Sequence, residues 1–296
     1  MKNYKVLLFY KYVKVENPEQ FKDEHLNFCF NNNIKGRVYI AEEGINGTVS
    51  GSNADIEIYK KELKSYPYFS NIVFKEDSEE KIAFSKMHVR VKKEIIHSDL
   101  DIKSTEEGGK RLTPEELLKF YEEEKDFIIV DARNWYESKI GKFKNAITPQ
   151  MDNFRDWKKV VDEDLIEYKD KTVVTYCTGG IRCEKASVYM VEQGFKDVYQ
   201  LAGGIVTYAK QFPDTYWDGS VWVFDDRFVV DYNKTNEHKY ITDCQFCGEP
   251  TSYYINCHNV ECDKIIFTCH NCKKEMDYCC SDECKNAPQK RPRYYG

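Results

Sequence analysis

Tyr176-Cys177-Thr178-Gly179-Gly180-Ile181-Arg182-Cys183-Glu184-Lys185-Ala186-Ser187 is the stretch on which the reading of this 296-residue chain turns. Just before it, Thr172 to Tyr176 is a short β-branched run, a buried-strand signal that ends at Cys177. After it, Glu184 to Gln193 reads as a helix stopped by Gly194. A cysteine is therefore set at the end of a strand, before a glycine loop and a helix. Backbone N–H groups in such a turn can point at the sulfur, and the helix N-terminus adds positive potential. Both favour the thiolate, the reactive form of cysteine. Arg182 contributes a fixed positive charge. Thr178, Gly179, Gly180 and Ile181 shape the loop, and the two glycines permit close backbone approach. A buried structural cysteine is the bland alternative; the Gly-Gly pair, Arg182 and the following helix argue against it. Cysteine-dependent phosphatases need their arginine six positions after the cysteine. Here Arg182 is fifth and Cys183 sixth, so the shorter loop suits sulfur chemistry better than phosphate capture.

Working outward, Phe127 to Val130 is a second buried run, ending at Asp131, and Val198 to Leu201 a third, followed by Gly203-Gly204 and a helix from Ile205. Thr113-Pro114-Glu115-Glu116 has the capping residue, the first-position proline and the glutamate of a helix start. Strands alternating with helices predict an α/β domain with a mostly parallel sheet over residues 112–215. Asp131 and Arg133 are expected to support the loop by charge-assisted hydrogen bonds; a purely structural role is the alternative. Residues 1–98 read as strand Lys5 to Lys11, helix Asn17 to Asn31, strands Arg37 to Ala41 and Gly47 to Ser50 around a turn at Glu42 to Asn46, helix Asn53 to Ser65, and strands Asn71 to Lys75 and Met87 to Ile96. That order predicts a ferredoxin-like α+β domain. Residues 99–111 are polar and read as a linker, and residues 216–296 lose the rhythm and become cysteine-rich.

Nine of the twelve cysteines lie between Cys244 and Cys284. No apolar run approaches the ~20 residues of a membrane span, and the N-terminus lacks the apolar core of a signal peptide. The chain is thus expected to be cytoplasmic, where disulfides are rare, and the cluster reads as a metal-binding module. Cys244-x2-Cys247 and Cys269-x2-Cys272 have zinc-ligand spacing, joined by Cys257, Cys262, Cys280 and Cys284. Eight thiolates make two structural zinc sites. Sequential pairing would put Cys244, Cys247, Cys257 and Cys262 together; a cross-braced arrangement is the alternative. Cys279 competes with Cys280 for the last place. No two-His-one-carboxylate iron motif, flavin fingerprint or nicotinamide motif is visible.

Val130-Asp131-Ala132-Arg133-Asn134 with Glu137, the Cys177 to Arg182 loop and Leu201-Ala202-Gly203-Gly204-Ile205 together resemble a rhodanese-like domain. With Gly36-Arg37-Val38-Tyr39-Ile40-Ala41-Glu42-Glu43-Gly44-Ile45-Asn46-Gly47 and the C-terminal cysteine module, nearly the whole chain resembles the tRNA uridine(34) hydroxylase family. That resemblance implies oxygen-dependent hydroxylation of the wobble uridine to 5-hydroxyuridine, with molecular oxygen as co-substrate and the tRNA anticodon loop as partner. Cys177, Arg182 and Cys183 are the expected catalytic residues; two cysteines flanking one loop would let Cys183 resolve an oxidised Cys177, with packing on the helix as its equal alternative. A persulfide-carrying sulfurtransferase is the rival reading, and a non-catalytic zinc scaffold a third. No obligate protein partner or membrane contact is implied. The net charge of −6 requires a local basic surface for RNA. Arg37, Lys86, Arg90, Lys92 and Arg155 are the candidates; Lys86, Arg90 and Lys92 alternate and would share one face of a strand.

Overall fold

The computed structural model describes residues 2–102, 104–234 and 239–292. The N-terminal part runs β1 (Tyr4–Tyr12), α1 (Pro18–Asn31), β2 (Lys35–Ala41), β3 (Gly44–Ser52), α2 (Asn53–Ser65), β4 (Phe74–Glu79) and β5 (Met87–Val91). The sheet order β4-β1-β3-β2 is the ferredoxin-like arrangement, and β5 adds a fifth strand parallel to β2. Asn17 caps α1 by accepting from the Gln20 amide, and Phe21, His25 and Cys29 are its buried positions. Side chains alternate across β1. Leu7 and Phe9 enter the core under the helices, while Val6, Leu8, Tyr10 and Tyr12 face the other way. The expected turn over Glu42 to Asn46 is tighter than its sequence suggested. Gly44 already pairs with Ala41 and with Tyr12, so only Glu42 and Glu43 turn. A Cβ on Gly44 would lie 2.0 Å from the Lys11 carbonyl oxygen, which is why β3 begins on a glycine.

The central part runs β6 (Lys110–Leu112), α3 (Pro114–Glu122), β7 (Phe127–Asp131), α4 (Trp135–Ser138), β8 (Gly141–Phe143), α5 (Trp157–Lys159), β9 (Thr172–Tyr176), α6 (Ile181–Glu192), β10 (Asp197–Leu201) and α7 (Gly204–Gln211). Thr113 and Glu116 close the expected capping box on α3. The sheet, ordered β6-β10-β9-β7, is parallel throughout. Apolar cores cover both faces, as a parallel sheet requires. The segment read as a linker is packed at several points. Leu100 and Ile102 join the core beside α6, and Lys110–Leu112 forms an edge strand.

Residues after 215 first return to the central part. β11 (Trp217–Gly219) pairs with β8, and Trp217 is buried in the central core. β12 (Val221–Trp222) pairs with β13 (Val229–Val230), and β14 (Tyr254–Asn256) with β15 (Ile265–Phe267). Two short helices follow, α8 (His270–Glu275) and α9 (Asp282–Lys285). Among the described residues no helix is long and apolar enough to cross a membrane.

Candidate active site

β9 is a central strand of the parallel sheet, and open α/β sheets place their sites at the carboxyl ends of such strands. Cys177 follows β9 directly and is 0% exposed. The Gly180 amide donates to its Sγ at 3.1 Å, and the Arg182 and Cys183 amides also point at it. Burial pushes the thiol pKa up. The Cys183 thiol, the Arg182 charge and the two amides outweigh it and bring Cys177 down to about 6. Burial and the adjacent Cys177 hold Cys183 well above its ordinary value, so Cys183 keeps its proton and donates it to the neighbouring sulfur. The loop is gripped from below by α7. The Ile205 and Val206 amides donate to the Cys177 and Thr178 carbonyls at 3.0 and 3.1 Å. Gly204, at φ +68°, touches that backbone so closely that a Cβ would lie 2.5 Å from the Cys177 oxygen. This is the local reason for a glycine at position 204.

Arg182 is buried and reaches both oxygens of Glu137 on α4, at 2.5 and 2.9 Å. Bidentate geometry of this kind fixes orientation as well as charge. Asp131 and Arg133 form a separate buried pair at 2.6 Å. Arg133 also donates to the Gly141 carbonyl, and the Tyr176 hydroxyl donates to Asp131. They brace the strand end just before Cys177, whereas Glu137 is the carboxylate that meets the loop arginine.

The two loop glycines face protein. A Cβ on Gly179 would lie 2.8 Å from Leu8 Cδ2, and one on Gly180 would lie 2.9 Å from the Tyr10 hydroxyl. The outward face of β1 is thus a roof on the Cys177 loop. The first turn of α6 fastens it. Glu184 accepts from the Tyr10 hydroxyl, Arg111 and Gln200. Lys185 lies 2.9 Å from Glu43, in the β2–β3 turn, and 2.9 Å from Glu94. Tyr10, Glu184, Lys185, Glu43 and Glu94 were not recognised as site residues from the sequence, because their roles exist only where two domains meet. A groove of about 1210 Å³ opens beside this roof, lined among others by Tyr10, Tyr12, Lys75, Arg111 and Glu184.

Arg37, Lys86, Arg90 and Lys92 are exposed. Arg37 pairs with His88 and with Thr48, and Thr48 with Leu8. Cross-strand partners point to the same side, so the basic edge lies on the same sheet face as Leu8 and Tyr10. Two strand spacings, ~10 Å, separate Arg37 from Leu8. Arg155 stands apart, on a 3-10 turn of the central domain, bonded to Asn153.

The C-terminal cysteines form two groups, Cys244, Cys247, Cys269 and Cys272, and Cys257, Cys262, Cys280 and Cys284, each with its sulfurs within 4.8 Å of one another. The arrangement is cross-braced, which corrects the sequential pairing. The β14–β15 hairpin is the reason. Its base brings Phe267, and hence Cys269, to the Cys244 turn, while its tip carries Cys257 and Cys262 to Tyr278 and beyond. Cys279 is outside both groups, with its thiol directed at backbone carbonyls. A metal bound by four thiolates at ~2.3 Å has sulfurs ~3.8 Å apart. Sulfur separations of 3.8, 3.6 and 3.6 Å fit a metal ion.

A sulfur cradle on a parallel sheet, roofed by a ferredoxin-like sheet and followed by a cysteine module, defines a multidomain protein of the rhodanese class. Residues 113–211 match the family described as rhodanese-like domain, residues 4–95 that described as UPF0176 acylphosphatase like domain, and residues 218–285 that described as rhodanase C-terminal. The chain is 44% identical to a tRNA uridine(34) hydroxylase of Acholeplasma laidlawii, covering 98% of this chain and 92% of that one. It is 42% identical to a protein of the same name from Cytophaga hutchinsonii, covering 99% and 93%. It is 46% identical to one from Staphylococcus aureus strain Newman, covering 99% and 92%. The chain belongs to the tRNA uridine(34) hydroxylase family.

Proposed function

We propose that this chain hydroxylates C5 of the wobble uridine of tRNA, with Cys177 as its reacting group. The observation that carries this reading is the Cys177 loop: the Gly180 amide donates to the buried Sγ at 3.1 Å, and Arg182 and the neighbouring Cys183 thiol favour the thiolate further. Addition of the Cys177 sulfur to C6 of the uracil would make C5 nucleophilic, and elimination would release it. Molecular oxygen would supply one atom to C5, and its second atom would leave as water, taking up two electrons and two protons. Closing the two thiols to a disulfide supplies those electrons and protons. Uridine, dioxygen and the dithiol then balance against 5-hydroxyuridine, water and the disulfide, which a cellular thiol reopens.

The basic edge of Arg37, Lys86, Arg90 and Lys92 would take phosphates of the anticodon arm, because it continues the sheet face that roofs Cys177. The two cysteine groups would each hold one zinc ion through Cys244, Cys247, Cys269 and Cys272, and through Cys257, Cys262, Cys280 and Cys284. Four-thiolate sites have no open position, so their role is structural. A tRNA substrate places the reaction in the cytoplasm.

The test is nucleoside mass spectrometry of tRNA incubated with the protein and oxygen, run beside thiosulfate-to-cyanide sulfur transfer. Appearance of 5-hydroxyuridine with the chain and its loss in Cys177→Ala supports the reading. Sulfur transfer without nucleoside oxidation would replace it with the sulfurtransferase.

A further inference from the structure

Lys75 stands at one edge of the sheet that roofs Cys177. It is the cross-strand partner of Leu8, so its side chain rises on the face turned to the loop. With Val206, Lys75 lines both the large groove and a small cavity walled by Leu8 and Thr178. It is thus part of the partition between the open groove and the covered loop.

The other cations of the groove are engaged. Lys11 donates to the Tyr68 carbonyl, Lys110 to Asp197, Arg111 to Glu184, and Lys210 pairs with Asp77. Beyond the groove, Arg182 is held by Glu137, and Lys185 by Glu43 and Glu94. Among the described residues, the Lys75 ammonium makes no hydrogen bond or ion pair; it rests 5.2 Å from the centre of the Tyr10 ring. The charged groups that act on it are Cys177 from the loop, Glu184 from α6, Arg111 from β6 and Lys210 from α7. Burial pulls its pKa down to about 8, against the pull of the Cys177 thiolate. A partly desolvated ammonium with no carboxylate bonded to it, on the sheet face turned to a thiolate loop, is a site for transient negative charge.

We infer that Lys75 is the substrate-facing cation of this site, balancing the Cys177 thiolate before substrate binds and the uracil O4 once the sulfur has added to the ring. The inference rests on the uridine reading above. In that step a sulfur electron pair forms the S–C6 bond, the C5–C6 π pair moves to C4–C5, and the C4–O π pair ends on O4. No electron is gained or lost, and the new oxyanion takes an N–H of Lys75. Release of the sulfur reverses the shift.

The experiment uses the full chain with Lys75→Met and Lys75→Arg. Cys177 ionisation is followed by ultraviolet thiolate absorbance against pH, as the difference from Cys177→Ser. With Lys75→Met the midpoint is expected to rise by about half a pH unit or more, and Lys75→Arg to hold it. With tRNA and oxygen, Lys75→Met should lower kcat by about tenfold or more with KM for tRNA within about twofold, and Lys75→Arg should restore much of kcat. An unmoved thiolate midpoint, or wild-type kcat in Lys75→Met, overturns the inference. If the wild-type chain makes no 5-hydroxyuridine, the uridine reading fails by itself, and the thiolate titration decides whether Lys75 faces Cys177.

Discussion

Cys177 has no exposed surface and still favours its charged form, because three amides, one thiol and one guanidinium are directed at a single sulfur. With a pKa of about 6, the thiolate predominates at pH 7. The thiolate fraction should therefore rise through pH about 6 and be nearly complete by pH 8, read by difference absorbance against Cys177→Ser. Removing the hydrogen-bond donor with Cys183→Ala should move that midpoint up, and Cys183→Ser should move it less; an unmoved midpoint would show that the Cys183 thiol does not support the charge. The buried Glu137–Arg182 pair answers to a different rule. Glu137→Ala strands a guanidinium away from water and should lower stability by about 3–5 kcal/mol. Urea unfolding would show it, and the double variant Glu137→Met with Arg182→Met should lose less than the single one.

At the scale of elements, the junction of β9, the loop, α6 and α7 depends on backbone contact. Gly204→Ala puts a Cβ 2.5 Å from the Cys177 oxygen at φ +68°. It should destabilise the chain by more than Gly194→Ala, which at φ +86° meets nothing within 4 Å and carries only the ~1–2 kcal/mol left-handed penalty. Equal losses in thermal melts would contradict the gripping role of α7. In α1, burial pulls the His25 pKa down to about 4, and its ring meets the Tyr59 hydroxyl at 3.2 Å. The unfolded chain, with an ordinary histidine pKa near 6.5, takes up the proton first as pH falls. The stability this neutral histidine contributes is complete above about pH 6.5 and is lost progressively down to about pH 4. His25→Gln should flatten that fall in urea titrations. Much of this scale was legible in sequence: the capping box at Thr113, the cap at Asn17 and the Cys177 turn depend on neighbours within a few residues. The grouping of the C-terminal cysteines was not, because the hairpin that interleaves them acts over more than twenty residues and spacing alone permits either scheme.

In the whole molecule, three parts converge on one strand edge. Arg227, from the C-terminal part, pairs with Asp77 and Glu79 of β4, and Lys210 of α7 pairs with Asp77. Lys185 ties α6 to Glu43 and Glu94. The roof over Cys177 is therefore held on several sides, and none of these partners shares a local motif with the others. That is why Tyr10 and Lys75 read in sequence as ordinary strand residues: only the docking of the sheet on the loop gives them their place. Removing metal with a chelator should unravel the cross-brace. Loss of two metal equivalents should accompany selective proteolysis after residue 240, with the central sheet retained; an unchanged digest at zero metal would remove the structural role of the cysteine groups. Residue, element and whole molecule meet in Cys177 acting on a uridine under that roof. The most direct measurement is mass spectrometry of nucleosides from tRNA treated with the purified chain under isotopically heavy dioxygen. The expected outcome is 5-hydroxyuridine carrying one heavy oxygen with the wild-type chain and none with Cys177→Ser; wild-type amounts of 5-hydroxyuridine from Cys177→Ser, or product without the heavy atom, would overturn the role of Cys177 in an oxygen-dependent reaction.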